Sequence, residues 1–301
     1  KMPTRTSAVP AKAARYDMPR QILIQAGQPE LQLRYADFVR SVFPSADFVP
    51  WIAGGHWDER YRALVLEDAG RILASVGITR MALVLDGSTL EAWQWGAVAT
   101  APSMRGRGLS RQLLEAAIEC SDAAPLLLFA NPGVRDFYPR FGFRPATQWR
   151  YHGRCVLQPA APAPRRDPQS ASDRQALIAA MAKAWPSSRR FGARDYGALL
   201  AWYATQGWSG RWHALDGERW VLTEQSERRL RILDVIASQP FDLREALPSL
   251  IDAPIEQVTF EFTPDDWWSD ALSCECDDEA DLYVRGFDPA EPSRYPLLAR
   301  T

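Results

Sequence analysis

No stretch of this 301-residue chain approaches the ~18 consecutive apolar residues of a membrane helix, so no spanning segment is expected. A strong charge of either sign is also lacking. The 35 Lys and Arg stand against 37 Asp and Glu, a net of -2, which leaves no basic excess for nucleic acid. The four cysteines are too few and too scattered for a disulfide framework. Cys274-Glu275-Cys276 has a single intervening residue where zinc knuckles use about two to four, so no metal site is expected. Cys120 and Cys155 are expected to be buried, and the other two to be ordinary thiols. Lys1-Met2-Pro3 lacks the apolar core of a secretory signal, and Lys1 ahead of Met2 reads as an extraneous leading residue. These absences point to a cytoplasmic protein with neither nucleic acid nor membrane as partner, monomeric or homodimeric.

What is present is ordinary globular material, 47% hydrophobic and 24% charged, in a chain long enough for two domains. The clearest boundary is Pro159-Ala-Ala-Pro-Ala-Pro-Arg-Arg-Asp-Pro168, where closely spaced prolines bar both helix and central strand. The expected organisation is therefore a first domain over 1–157, a proline-rich linker over 158–170 and a second domain over 171–301. In the first, hydrophobic periodicity predicts strands over 21–24, 61–67, 72–86, 90–100, 126–130 and 146–157. Helices are predicted over 29–43, 110–120 and 134–141, with turns near Ala69-Gly70 and Asp86-Gly87. In the second, helices are predicted over 172–184, 193–205 and 242–250, and strands over 210–215, 218–223, 230–237, 256–262 and 281–286. The order of elements repeats, although sequence identity between the halves is slight.

The most informative segment is Val98-Ala-Thr-Ala-Pro-Ser-Met-Arg-Gly-Arg-Gly-Leu-Ser110. A strand that runs into two glycines and then a helix presents backbone N–H groups that have no partner within the helix and that suit phosphate oxygens. Gly106 and Gly108 let the backbone curl and approach an anion without a Cβ in the way. Arg105 and Arg107 add positive charge. The spelling excludes two common nucleotide loops: no lysine follows the glycines, and Arg111 stands where a dinucleotide fingerprint needs a third glycine.

The segment Ala99 to Glu115 resembles the acyl-coenzyme A-binding segment of the GNAT superfamily of N-acetyltransferases: Gln or Arg, two residues, Gly, one residue, Gly or Ala. Arg105, Gly108 and Ser110 carry the match, with serine replacing the last small residue. Asn131-Pro-Gly-Val-Arg-Asp-Phe-Tyr-Pro-Arg-Phe-Gly-Phe143 resembles a second signature of that family. The resemblance covers about residues 20 to 157. It implies an α/β fold, a layered mixed sheet flanked by helices, in tandem acyl-CoA N-acyltransferase folds. It also implies acetyl-CoA as acyl donor. Val98, Ala99 and Thr100 would face the pantetheine arm, the amides of Arg105, Gly106, Arg107, Gly108, Leu109 and Ser110 would hold pyrophosphate, and Asn131 and Phe137 would lie beside the arm.

The family reaction is direct attack of a neutral amine on the thioester through a ternary complex. It requires a base for the ammonium, donors for the oxyanion and a proton for the leaving thiolate. Tyr138 is the candidate acid and the Val98–Thr100 backbone the candidate oxyanion donor. For the base, Glu91 resembles the acidic residue of some family members, His56 has the better-suited ordinary pKa, and a water chain is a third route. Trp51, Trp57, Trp93 and Trp95 are expected around the acceptor, with Asp47, Asp58 and Glu59 receiving its ammonium. The expected acceptor is the primary amine of a small molecule, aromatic, apolar or aminoglycoside-like. A protein or peptide N-acetyltransferase, and a non-catalytic acyl-CoA sensor or scaffold, are the alternatives. The second half has no glycine in Ser238-Gln-Pro-Phe-Asp242, where a proline also deletes a donor, so a degenerate domain that walls the cleft is expected.

Overall fold

The computed structural model describes residues 19–208, 210–278 and 281–301, so the reading of Lys1-Met2-Pro3 lies outside the described residues. The chain runs β1 (Arg20–Ile24), α1 (Pro29–Val42), α2 (Phe48–Ala53), β2 (Tyr61–Asp68), β3 (Arg71–Leu85), β4 (Ser88–Thr100), α3 (Leu109–Glu119), β5 (Leu126–Phe129), β6 (Arg144–Pro145) and β7 (Trp149–Leu157). It continues through β8 (Arg165–Arg166), α4 (Ala171–Met181), β9 (Phe191–Arg194), α5 (Gly197–Thr205), β10 (Arg211–Ala214) and β11 (Trp220–Ser226). The last elements are β12 (Arg229–Ile236), α6 (Leu243–Leu250), β13 (Ile255–Phe260), β14 (Ser273–Cys276) and β15 (Leu282–Arg285). Among the described residues, no helix is long and apolar enough to cross a membrane.

Local chemistry accounts for the long antiparallel ribbon at the centre. Ala69-Gly70 and Asp86-Gly87 take positive φ at both positions, the backbone hand that matches strand twist in two-residue hairpins, and they fold β2 onto β3 and β3 onto β4. Apolar residues of α3 (Leu113, Leu114, Ala117) are buried against that ribbon. The predicted helix over 134–141 is instead two short 3-10 turns, Pro132–Val134 and Tyr138–Phe141. Pro139 lacks the amide that a continuous helix needs there.

Two sheets form, with the same plan. One follows the order β1-β2-β3-β4-β5-β15-β6, with β9 added beside the hairpin end of β3; the other follows β8-β10-β11-β12-β13-β7-β14. Each holds one parallel pair at its centre, β4 with β5 and β12 with β13. The two halves exchange strands. The strand over 149–157, expected to close the first domain, pairs with β13 and β14 in the second sheet, while β15 and β9 of the second half join the first. The boundary at 157 therefore does not coincide with the division between sheets. Nor is 158–170 a free linker, since β8 pairs with β10 and Ala163 is buried. Residues 193–194, expected to be helical, are strand, and Cys120, expected to be buried, is exposed.

One buried acid stands out in the second sheet. Asp234 of β12 is fully buried and accepts hydrogen bonds from Tyr196 (2.7 Å) and from the Val235 amide (2.9 Å). Burial dominates these bonds and pushes its pKa up to about 7. Below the unfolded pKa near 4 both states are protonated; between there and about 7 only the folded state holds the proton. Stability from this group therefore falls as pH rises across that window, by roughly 2–4 kcal/mol. Asp234→Asn is expected to remove that slope, so urea unfolding at pH 5 and pH 7.5 should show a smaller loss in the variant than in the parent. Equal slopes would show that Asp234 titrates normally.

Candidate active site

The parallel pairing of β4 and β5 covers only Trp93–Trp95 against Leu126–Leu128. Beyond Trp95 the two strands part, and the backbone of β4 faces the gap. A bulge interrupts the other side as well: the β3 register passes from Gly77–Gly96 to Ser75–Ala99, Ala97 takes φ 46°, and Ser75 donates its hydroxyl to the Ala97 carbonyl at 2.9 Å. Main-chain groups at residues 97–98 are thereby released from the ladder at the mouth of the gap.

The glycine-rich loop lies at that mouth. Gly106 (φ 76°) and Gly108 (φ 78°) are both in the left-handed region, and a Cβ on either would meet no protein atom within 4 Å. Gly108 caps α3 with no side-chain hydrogen bond, so the first amides of the helix are left for an external acceptor. Thr100 and Ser110 join hydroxyls at 2.5 Å, tying the strand end to the helix start. These residues line a groove of about 730 Å³ together with Val98, Ala99, Asn131, Phe137 and Tyr138. Every position marked as cofactor-binding in the sequence thus borders one groove. Asn131 makes no capping bond to the turn that follows it, although a cap is its plainest structural role.

A second cavity, of about 230 Å³, opens from the same place. Val98, Asn131, Tyr138 and Phe43 border both. The Tyr138 ring is packed against Phe137, Phe143 and Tyr283, and burial pushes its pKa up to about 12, so the phenol keeps its proton throughout the neutral range.

Neither candidate base reaches this junction. Glu91 pairs with Ala82 near the hairpin end of β4, its side chain is 60% exposed beside Arg80, and five residues of strand put it about 17 Å from Gly96. His56 lies under Gly54, and its pKa is lowered by burial first and by Arg174, against the opposite pull of Asp58. Two of the three expected anionic receptors are engaged elsewhere, and Glu59 is exposed and does not line the cavity. Asp47 caps α2 and pairs with Arg40, and Asp58 pairs with Arg60. Of the four tryptophans, Trp51 and Trp95 line the second cavity, while Trp57 and Trp93 belong to the core.

The second half supplies walls that no local signal announced. Leu199 and Trp202 of α5 line the cavity, as does Thr301. Buried Gln94 donates to the Ala299 carbonyl (2.8 Å) and accepts from the Thr301 amide (3.1 Å), fixing residues 299–301 along β4. Gly96 makes room for them, because a Cβ there would sit 2.8 Å from Thr301 Oγ1 and 3.3 Å from its carbonyl carbon. Gly96→Ala is accordingly expected to dislodge this segment at a cost of about 1–3 kcal/mol, visible as faster amide exchange over 297–301. Unchanged exchange would show that the wall adapts.

In the second half the equivalent helix start is closed. Asp242 caps α6 with its own carboxylate, accepting from the Arg244 amide at 3.1 Å, so negative charge already occupies the place an anion would take. This matches the missing glycines.

An acetyltransferase (GNAT) domain model matches residues 34–146, the stretch holding the loop, the gap and Tyr138. Solved structures extend the likeness across both halves. Eis1 from Mycobacterium abscessus is 15% identical, with a TM-score of 0.53 over 88% of this chain and 73% of its own. This chain has the GNAT acetyltransferase fold, in tandem. A probable N-acyltransferase of Enterococcus faecalis V583 (11% identity, TM-score 0.51) and a GCN5-related N-acetyltransferase of Kribbella flavida (15%, 0.50) likewise cover 88% of this chain and 72% of theirs. No curated protein matches the sequence significantly. At these identities the likeness is one of fold, and the two GNAT sheets described above are its content.

Proposed function

We propose that the protein transfers an acetyl group from acetyl-CoA to the primary amine of a small molecule by direct attack within a ternary complex. The observation that carries this reading is the junction: a glycine-rich anion groove and a mostly apolar cavity share one border, and Tyr138 stands on it. The groove fits the donor. Uncapped amides at Gly108–Ser110 and the open space over both glycines suit a pyrophosphate, and the unpaired edge of β4 at Val98–Thr100 suits an amide-bearing arm. Acetyl-CoA supplies the activated acyl group.

The chain's own residues then have distinct tasks. Released main-chain N–H at the β4 bulge stabilises negative charge on the carbonyl oxygen. The acceptor nitrogen forms the new C–N bond as the C–S bond breaks, and Tyr138 hands its proton toward the departing sulfur and recovers one from solvent. With Glu91 and His56 outside the junction, the amine loses its proton to water. The domain organisation that accompanies this reading is one working GNAT unit and one degenerate unit that walls the cleft. Isothermal titration with coenzyme A and a thiol-release assay over an amine panel test it. Binding without thiol release for any amine would favour an acyl-CoA sensor, and no binding would overturn both.

A further inference from the structure

We infer that the acceptor is a primary amine carried on a flat aromatic body, held in the 230 Å³ cavity with Trp202 of the second half as its specificity wall. This rests on the acyltransfer reading above and names the substrate class of that same site. Among the described residues that line the cavity, no side chain carries a charge. The polar groups of its lining residues are few: the hydroxyls of Tyr61, Tyr138 and Thr301, the Asn131 amide, the indole N–H groups of Trp51, Trp95 and Trp202, of which that of Trp51 is already donated to the Ala198 carbonyl, and main-chain groups at 96–98 and 301. A polyol or polycation entering here would shed hydration with too few partners to replace it, which makes sugars and polyamines poor occupants. Asp47 and Asp58, which would have welcomed a polycation, are held by Arg40 and Arg60, and Glu59 does not line the cavity.

Half of the lining is aromatic, and the rings meet at tilted and edge-on angles. Trp202 packs on Phe48 at 4.4 Å between centroids and meets Trp51 edge-on at 6.1 Å and 87°, while Trp95 and Phe129 close the side toward the sheet. Such walls reward an aromatic guest through stacking and edge contacts. The size agrees, since about 230 Å³ holds a bicyclic ring with a short side chain and falls below the ~300 Å³ of ordinary drug-sized sites. The exit at Val98 and Tyr138 requires the amine to point toward the groove, with the ring behind it. The transfer leaves an amide on the aromatic compound and a free thiol on coenzyme A, with one amine proton lost to water and one gained by sulfur.

The test uses the full chain saturated with coenzyme A, titrated calorimetrically with tryptamine, 2-phenylethylamine, spermidine and kanamycin. The aromatic amines are expected to bind at least about ten-fold more tightly than the two polycations. Trp202→Ala should weaken tryptamine by about ten-fold or more and leave the coenzyme A Kd within about two-fold, with Trp202→Phe falling between. Tighter binding of spermidine or kanamycin, or indifference of tryptamine to Trp202→Ala and Trp202→Phe, overturns the inference while leaving acyltransfer intact. Octanoyl-CoA provides the last arm: if it binds about ten-fold more tightly than acetyl-CoA and excludes tryptamine, the cavity houses an acyl chain and the inference fails. Failure of coenzyme A itself to bind removes the acyltransfer reading, and this inference with it.

Discussion

Replacing Gly108 by valine is expected to weaken coenzyme A binding on the order of 100-fold while costing the fold only about 1–2 kcal/mol. Two separate effects act at this position. The φ of 78° is one that β-branched residues avoid, and that conformational cost applies whatever else lies nearby. The second effect is specific to the ligand. An added Cβ meets no protein atom within 4 Å, so the space it enters is the groove, beside the uncapped amides of α3. Gly70 separates the two. It has φ 79° and the same open surroundings, but it turns the β2–β3 hairpin and does not line the groove. Gly70→Val should therefore show a similar loss of stability with coenzyme A affinity unchanged. Should both variants bind the cofactor as the parent does, the loop does not hold pyrophosphate.

The groove was legible in the sequence because its parts are contiguous. Strand end, glycines and helix start occupy residues 98–110, and local sterics favour glycine at both positive-φ positions. The hairpins were legible for the same reason, through Ala69-Gly70 and Asp86-Gly87. What could not be read is what the tertiary structure decides. An alternating strand such as β7 carries the same pattern whichever sheet it joins, so the exchange of β7 for β15 left no mark. Trp202 and Leu199 reach the cavity only because α5 of the second half packs on α2, a six-residue helix too short to show a helical period. Glu91 and His56 lie off the junction because closeness in sequence to a motif is not closeness in space: a strand carries Glu91 away with every residue, and His56 belongs to a turn near Arg174 of α4. Asp47 and Asp58 near the tryptophans were likewise real neighbours with other partners, a cap and two arginines.

Tyr138→Phe is expected to lower turnover by about 10²-fold or more with little change in coenzyme A affinity. The substitution keeps the ring that packs on Phe137, Phe143 and Tyr283, so the buried contacts survive and only the hydroxyl is lost. That hydroxyl belongs to the border between groove and cavity, where a thiolate leaves and an amine arrives. Burial raises its pKa to about 12, which makes it a weaker acid than a free phenol but keeps it fully protonated, and a nearby thiolate regains the bond as charge develops on sulfur. An effect on the chemical step alone would appear as equal falls in kcat and kcat/KM at unchanged cofactor Kd. A purely structural tyrosine predicts the opposite pattern: near-parental turnover, with any loss showing in thermal stability. The measurement is single-turnover thiol release with the best amine of the panel, after subtraction of uncatalysed thioester hydrolysis. Retention of the parental rate, under conditions where chemistry limits turnover, would move proton donation from Tyr138 to water or to the acceptor.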